Sequence, residues 1–585
     1  MVITFWKGVF VADQPDEKIL RRAGFKLHEP TTCQPATCKA CHARIGRRYF
    51  STRIEHATRL RKYCNQRALD VMKKHLAKLA QSRAVDASIQ IPSPPGLSYK
   101  PYQRAGVAYA VQRKDTLFAD DMGLGKTVEA LGFLNYVRAQ TVLIVCPATL
   151  VWNWLIEARR WLVADYEFFL PRNGRDSVPI TNKSLVVITN YEKIVGQPSS
   201  NEEVRDHTPL SSSLHSRSWD VGIFDEAQAL KHPDSLRSQA VLGEGGLYEK
   251  CRRTLFMTGT PMENRPIEIW PIAATLCPAR FGDWWEFARR YCGLHQEIRG
   301  RRTVMVADGA SNHSELQQRL RTSFMIRRLK ADVLPELPPK QRQLVLLDDR
   351  DVDWSRYPQF LQWQAAHQAA YDDAMARLEA ASTLAEYRLA VKALDAVSIP
   401  FTEISGFRHQ SALLKLPSCL RFTDHLLSAG LDALVIYAHH RDVLEQVHNH
   451  YGDDSCVIYG DTPMKDRIPT VDLFQSGKKK IFIGGLKAAS TGITLTRAST
   501  MVFFEHDWNP AVIGQAEDRL CRLGQKKMVH AFHPVLNASV DANMVKMTIA
   551  KQTVIDRILD ETTEEMRTTL PKASAHRRTS SRREI

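Results

Sequence analysis

The sequence predicts an α/β protein built from two parallel-sheet lobes with helical insertions, preceded by a small basic region. Three observations predict it. Short continuous runs of Val, Ile, Leu and Phe recur at intervals long enough to hold a helix, the pattern of strands buried on both faces of a parallel sheet. The series of runs occurs twice. Between the two series, residues 363–396 contain neither Gly nor Pro and are rich in Ala, Leu, Glu and Gln, which favours helix.

Taken in order, residues 1–95 form a basic accessory region, closed by the Pro- and Gly-containing linker "QIPSPPGLSYKP" (90–101). A first lobe is expected over 96–345, with strands in "TVLIVCPAT" (141–149), "SLVVITNYE" (184–192), "WDVGIFDEAQ" (219–228) and "RTLFMTGTP" (253–261). A helical insertion follows over 346–407. The second lobe, 408–566, repeats the pattern in "LDALVIYAHH" (431–440), "SCVIYGDT" (455–462), "KKIFIGGLKA" (479–488) and "STMVFFEHDWNP" (499–510), and ends in a helix. Residues 567–585 are basic, Ser-rich and aperiodic, and are read as a disordered tail.

Composition narrows the function classes. With 80 Lys and Arg against 64 Asp and Glu, the formal charge of +16 favours a polyanionic partner, nucleic acid first. Eleven cysteines in 585 residues, mostly single in apolar stretches, do not make a disulfide scaffold. Acidic residues interrupt the N-terminus too early for a signal peptide, and no run of 18 apolar residues occurs. A soluble, intracellular monomer is expected, with no membrane partner.

The chemistry concentrates in "FADDMGLGKT" (118–127). A phosphate cradle needs glycines for close approach, backbone N–H groups at a helix N-terminus, a lysine and a hydroxyl for Mg²⁺. Gly123, Gly125, Lys126 and Thr127 supply them, although the strict motif wants glycine where Asp120 stands. "VGIFDEAQ" ends a buried run with Asp225, suited to hold Mg²⁺ with Thr127, and Glu226, suited to orient a water. In "QAEDRLCRLGQ", Arg519 and Arg522 are three apart, so on a helix they share a face and can act as arginine fingers. A solvated basic helix is the plainer alternative.

With those residues in place, the ordered motifs resemble the SWI/SNF-type ATPases of helicase superfamily two. The resemblance runs over roughly residues 98–560 and is carried by "YKPYQRAGV", "DDMGLGKT", "PATLVWNW", "DEAQ", "FMTGTPMENRPIEIW", "MIRRLKADVLPELPPK", "LVIYAHHRDVLE", "LKAASTGITLT" and "FFEHDWNPAVIGQAEDRLCRLGQ". Within the family the chain is most similar to the branch that contains the HARP-type annealing helicases. The resemblance implies two RecA-like lobes and an ATP site. It makes Gln103 the adenine contact, adds Asp121, Met122, Leu124, Gly492 and Gln515 to the nucleotide-binding set, and implies motion on double-stranded or branched DNA. It also admits an acid at position 120. Gln228 departs from the family's usual His, which puts the coupling of hydrolysis to DNA in question. An RNA-polymerase-associated motor and a non-catalytic ATP-binding scaffold are the competing readings.

The basic N-terminal region carries Cys33, Cys38, Cys41 and His42, with Cys64 more distant. These residues are either zinc ligands in an incomplete knuckle, with His42 or Cys64 as the fourth, or unliganded thiols in a loop. Residues 49–80 show apolar residues at helical spacing with a dense Lys/Arg face, suited to phosphates or to packing on the first lobe.

Overall fold

The computed structural model describes residues 2–536 apart from 7–8, 14–16, 24, 28–48, 52–59, 196, 199–204, 207, 263–264, 300–301, 308, 339, 348–400 (of which 373, 376 and 377 are described), 490–492, 508–509 and 523. Its first compact unit comprises residues 1–84 with 321–323. Strands β1 (Val2–Trp6), β2 (Val9–Asp13), β3 (Lys26–Leu27) and β4 (Tyr49–Ser51) make an antiparallel sheet of order β1-β2-β4-β3. The helix Gln66–Ser82 begins at an Asn65 cap whose side chain accepts from Ala68 N–H at 3.0 Å. Its buried Ala68 and Met72 join Ile3, Phe10, Leu20, Phe25 and Leu60 in a small core, while Arg67, Lys73, Lys74 and Lys78 are exposed.

Two expectations change here. The helical spacing that starts at residue 49 is a strand at first, because Phe50 pairs with Val11 and Lys26 across the sheet. Cys33, Cys38, Cys41 and His42 lie outside the described residues. The Cys64 thiol donates to Leu60 O at 3.7 Å, and among the described residues no three His, Cys, Asp or Glu gather as a metal site.

The second unit starts at Val85, ten residues before the expected boundary. Ile89, Ile91 and Leu97 already pack on the first lobe's core, and Asp86 pairs with Arg104 at 2.7 Å, so the expected linker belongs to the lobe it introduces. The first sheet contains β5 (Asp115–Phe118), β6 (Thr141–Cys146), β7 (Tyr166–Phe169) and β8 (Ser184–Asn190). After a two-residue ladder, β9 (Gln197–Pro198) with β10 (Arg205–Asp206), it continues with β11 (Trp219–Asp225) and β12 (Cys251–Met257). A hairpin, β13 (His295–Arg299) and β14 (Arg302–Val306), precedes the edge strand β15 (Met325–Ile326). All seven strands are parallel, in the order β15-β5-β12-β11-β6-β8-β7. Alternate residues bury opposite faces: Leu117, Leu143, Val187 and Phe256 on one, Phe118, Ile144, Ile188 and Leu255 on the other. That double burial is why the strands read as continuous apolar runs.

The second sheet is also all parallel. It runs β16 (Lys340–Leu347), β21 (Val529–Leu536), β20 (Thr500–Phe503), β17 (Leu434–Ala438), β19 (Ile481–Gly485), β18 (Ser455–Ile458). The expected lobe boundary at 345 is therefore corrected: residues 340–347 pair with β21 along their whole length, and the chain crosses between lobes before Lys340. The boundary at 407 falls inside the helix Phe401–Ser428, and the insertion expected over 363–396 lies outside the described residues apart from 373, 376 and 377, as does the whole of the C-terminal helix and tail. No helix among the described residues is long and apolar enough to cross a membrane.

What fixes the first lobe's functional edge is a buried ionic cluster. Asp120, at the end of β5, and Glu129, one turn into the next helix, are fully buried beside Arg328, which follows β15. Arg328 donates to Asp120 Oδ1 from its backbone N–H at 2.8 Å and from Nε at 3.0 Å, to Asp120 Oδ2 and the Tyr102 carbonyl from its two Nη groups, and to Glu129 Oε1 at 2.7 Å. Burial pushes the Glu129 carboxyl well above the usual carboxylate range, against the pull of the Arg328 charge. Gly106 leaves the room: a Cβ there would lie 2.7 Å from Glu129 Oε2 and 2.9 Å from Arg328 Nη2.

In the second lobe, Glu517 is buried against Lys340 and Arg342, with His533 Nε2 3.9 Å away. Burial holds His533 down to about 4, hence neutral, while Lys340 and Arg342 overcome the desolvation of Glu517 and hold it far below the usual carboxylate range.

Arg328→Met leaves two buried acids unpaired, and should cost about 3–5 kcal/mol of stability. Gly106→Ala should cost about 1–3 kcal/mol by crowding the same cluster; thermal unfolding midpoints measure both. Because His533 and Glu517 both have depressed values in the fold, the unfolded chain takes up more protons as pH falls. Stability should drop from pH 6.5 towards 4, by up to about 1.4 kcal/mol per pH unit for the single His533 group. His533→Phe should flatten that upper part of the profile in unfolding measured at stepped pH.

Candidate active site

The carboxyl ends of β5, β11 and β12 lie side by side and carry the predicted residues onto one rim. After Asp120 and Asp121 the chain turns through Gly123 (φ 82°) and Gly125 (φ 84°), both in the left-handed region that disfavours a Cβ, and enters the helix Lys126–Val137. As first residues of that helix, Lys126 and Thr127 have N–H groups with no intrahelical acceptor. The buried Leu124 anchors the loop against Tyr102 and Leu334. Met122 lies against Gly259, where a Cβ would come within 2.4 Å of Met122 Cγ and 3.4 Å of Lys126 Nζ.

Gln103 lies beneath the loop, its Nε2 donating to Leu124 O at 3.2 Å and its Oε1 accepting from Lys100 N–H at 2.9 Å. In this arrangement it is a strut between the loop and the helix Pro101–Val111. Lys126 Nζ donates to the carbonyls of Asp120 at 2.8 Å and Asp121 at 3.3 Å, and burial lowers its pKa. Asp121 accepts from Arg327 Nη2 at 3.3 Å and from Lys330 N–H at 3.0 Å.

At the end of β11 Asp225 is held by three hydrogen bonds, two to its carboxylate and one to its backbone carbonyl. Its Oδ2 accepts from Trp154 Nε1 at 2.8 Å, its Oδ1 from Glu226 N–H at 2.9 Å, and its carbonyl from the Tyr191 hydroxyl at 2.8 Å. Burial, then the adjacent Glu226, push Asp225 up to about 7, a penalty that a bound cation would relieve. Glu226 has φ 51°, a strained conformation for a side-chain-bearing residue and one common at reacting sites. Gln228, the departure from the family pattern, donates from Nε2 to Glu226 Oε2 at 2.7 Å and so orients that carboxylate.

Arg519 and Arg522 do reach the cleft, but not from one helix face. The helix Pro510–Glu517 ends before them. Arg519 O accepts from Leu495 N–H at 2.9 Å instead of continuing the helix, and both arginines sit in the turns that follow. Both guanidiniums find neutral acceptors: Arg519 bonds the carbonyls of Gln515 at 3.1 Å and Ile493 at 3.5 Å, Arg522 the Asp518 carbonyl and the Thr494 hydroxyl, each at 3.1 Å. Among the described residues neither pairs with a carboxylate at ion-pair distance. Burial lowers both, and burial with the Arg519 charge takes Arg522 down to about 9. Arg522 Cγ lies 3.2 Å from where a Cβ on Gly123 would be, so the second lobe meets the loop directly. Gln515 is buried beside the pair, and Gly492 lies outside the described residues.

Three cations with no carboxylate at ion-pair distance among the described residues, left-handed glycines at a helix start and a buried acid form a cradle suited to a polyphosphate with its divalent cation. The Mg²⁺ expectation falls on Thr127, in the first turn of the helix, and Asp225, at the end of β11. Sequence reading missed Trp154, Tyr191, Glu129, Arg327, Arg328 and Lys330. A signal existed for the arginines: an acid in place of a loop glycine needs a buried cation, and "MIRR" is an arginine pair directly after an apolar run.

The chain matches the model of the SNF2-related domain over residues 102–394 and that of the helicase conserved C-terminal domain over 419–524. It is 30% identical over 482 residues to the DNA annealing helicase and endonuclease ZRANB3 of Mus musculus, covering 80% of this chain and 41% of that protein. It is likewise 30% identical over 465 residues to SWI/SNF-related matrix-associated actin-dependent regulator of chromatin subfamily A-like protein 1 of Xenopus tropicalis, covering 78% and 44%. The chain thus spans less than half the length of these relatives. A solved SWI2/SNF2 ATPase core from Sulfolobus solfataricus in complex with dsDNA is similar at TM-score 0.36 and 19% identity, over 81% of this chain and 100% of that one.

Trp154→Phe removes the indole donor from Asp225 while keeping an aromatic ring in the core. It should weaken binding of a fluorescent Mg²⁺–ADP analogue about tenfold, with little effect on binding of the same nucleotide in excess EDTA. Equilibrium titration with and without the metal measures the difference.

Proposed function

The chain belongs to the SNF2-related family, and from that premise we propose that it is a DNA-dependent ATPase that moves on duplex DNA and remodels or rewinds branched DNA. The observation that carries the ATPase part is the pair Arg519, buried, and Arg522, half-buried against the phosphate loop, whose hydrogen bonds among the described residues go only to neutral acceptors. Withdrawing guanidiniums from water without a carboxylate partner is costly, and a site that holds two of them so is organised for an anion.

In this reading the N–H groups of the loop and Lys126 hold the phosphates of ATP. Glu226, fixed by Gln228, orients the attacking water and takes its proton. Arg519 and Arg522 stabilise the charge that develops on the transferred phosphoryl group. Mg²⁺, held by Thr127 and Asp225, supplies further neutralisation of the phosphates when bound.

The DNA part draws on the relatives named as annealing helicase and SWI/SNF-related regulators, and on the chain's +16 charge. The turns after β6, β12 and β19 (147–152, 258–261 and 487–495) leave the carboxyl ends of parallel strands in both sheets and are the segments we assign to the DNA backbone. Successive closing and opening of two lobes that each grip the backbone converts hydrolysis into steps.

Phosphate release measured without nucleic acid, then with single-stranded, duplex and forked DNA and with RNA, tests the proposal. Duplex or forked DNA should stimulate turnover at least about tenfold, and Lys126→Ala or Glu226→Gln should reduce it by about 10²-fold or more. The stimulation should weaken steeply with added salt. Turnover that never rises with DNA would sink the motor reading, stimulation by RNA alone would redirect it, and nucleotide binding without turnover would leave a scaffold.

A further inference from the structure

Lys330 takes no part in the chemistry assigned above, yet it touches both sides of the cleft. It follows Arg327 and Arg328 in the segment that leaves β15 on the way to the second sheet. Its backbone N–H donates to Asp121 Oδ2 at 3.0 Å, and its Cε lies 3.5 Å from where a Cβ on Gly123 would be. Its ammonium donates to Asp518 Oδ1 and to the carbonyl of Cys521, both at 2.9 Å. One residue therefore bonds the phosphate loop through its main chain and the arginine-bearing turn through its side chain.

The two groups that Lys330 grips each directly precede one of the arginines. Asp518 precedes Arg519, and Cys521 precedes Arg522, whose Nε donates to the Asp518 carbonyl at 3.1 Å. The grip has an anchor on each side. Asp121 is also held by Arg327, whose Nη1 bonds the carbonyls of Ala119 at 2.6 Å and Gly259 at 3.3 Å. Asp518 is also 3.5 Å from Lys340, and Lys340 and Arg342 tie the neighbouring Glu517 to β16 of the second sheet. The Lys330 and Asp518 side chains are only 13% and 16% exposed, so solvent screens the pair weakly. Lys340 fastens the turn to its own lobe; Lys330 fastens it to the other.

We propose that Lys330 is a positioning residue that sets Arg519 and Arg522 in register with the phosphate loop through its bonds to Asp121, Asp518 and Cys521. This rests on the reading of the cleft as an ATPase site. Because the pair acts on geometry and not on phosphate contact, losing it should lower turnover without lowering nucleotide affinity. A displacement of about 1 Å at a reacting site is worth on the order of a hundredfold in rate.

The test uses the full chain with saturating duplex DNA, measuring kcat for phosphate release and, separately, equilibrium affinity for a fluorescent ADP analogue. Lys330→Met keeps the stem and removes the charge. It should lower kcat by on the order of a hundredfold, with ADP affinity within about twofold of wild type. Lys330→Arg should restore most of the rate. Asp518→Asn should lower kcat less, because the Cys521 carbonyl remains, and adding it to Lys330→Met should produce little further loss. Unchanged kcat in Lys330→Met overturns the inference, as does a loss of ADP affinity as large as the loss of kcat, or full additivity with Asp518→Asn. If Lys330→Met does not fold, as judged by its thermal midpoint, Lys330→Arg with Asp518→Asn carries the same comparison. A wild-type chain that never hydrolyses ATP removes the parent reading; a hydrolysing chain indifferent to Lys330 removes only this one.

Discussion

The buried contact of Arg328 with Asp120 and Glu129 is the constraint on which the functional edge depends. A phosphate loop is useful only if its backbone is held still, and a glycine-rich turn cannot hold itself. Here the residue before the turn is an acid, and its carboxylate is locked to a guanidinium that follows the adjacent edge strand, β15. The same guanidinium reaches the first helix through Glu129 and the preceding helix through the Tyr102 carbonyl. Strand, loop, helix and the exit to the second lobe are thus joined at one buried point, and Gly106 exists to make room for it. Asp120, which breaks the strict phosphate-loop pattern, is the residue that makes the loop rigid.

From that point the charge arrangement of the cleft follows. Carboxylates spent on structure, Asp120, Asp121, Glu517 and Asp518, are each matched with Arg327, Arg328, Lys330, Lys340 or Arg342. The residues that face the cleft are left unmatched. Arg519 is buried and Lys126 and Arg522 are half-buried against neutral oxygens, and Asp225 is buried with donors but, among the described residues, no cation at ion-pair distance. Removing the positive charges from water with no counter-ion is unfavourable, and an anionic ligand reverses that cost on binding. The imbalance is local and separates the reacting groups from the structural ones more clearly than residue type does.

Much of this architecture was legible in the sequence, for physical reasons. Strands covered on both faces must be apolar at every position, so β6, β8, β11, β17 and β19 stand out as runs. β21 did not, because His530, His533 and Pro534 interrupt it. Pro534 is tolerated since β20 pairs only as far as Phe532, leaving the proline a single neighbour, in β16. β16 itself, polar over 340–343 and apolar over 344–347, is an edge strand paired on one side, and the expected boundary at 345 cut through it. Lys126, Asp225 and Glu226 could be singled out because the chemistry expected of them demands fixed spacing. Trp154, Tyr191 and Arg328 did not stand out, because a partner that holds an acidic residue by its side chain or its carbonyl can come from any element around the sheet, and spacing carries no trace of it.

The central claim is that the second lobe's guanidiniums complete a phosphoryl-transfer site that the first lobe begins. Affinity for ADP with aluminium fluoride, a mimic of the phosphoryl group in transit, compared with ADP alone tests this most directly, in the wild-type chain and in Arg522→Gln. The account predicts that wild type binds the mimic at least about a hundredfold more tightly than ADP, and that Arg522→Gln loses most of that gain while keeping its affinity for ADP. Equal affinity for the two ligands in wild type, or a gain that survives in Arg522→Gln, would contradict it.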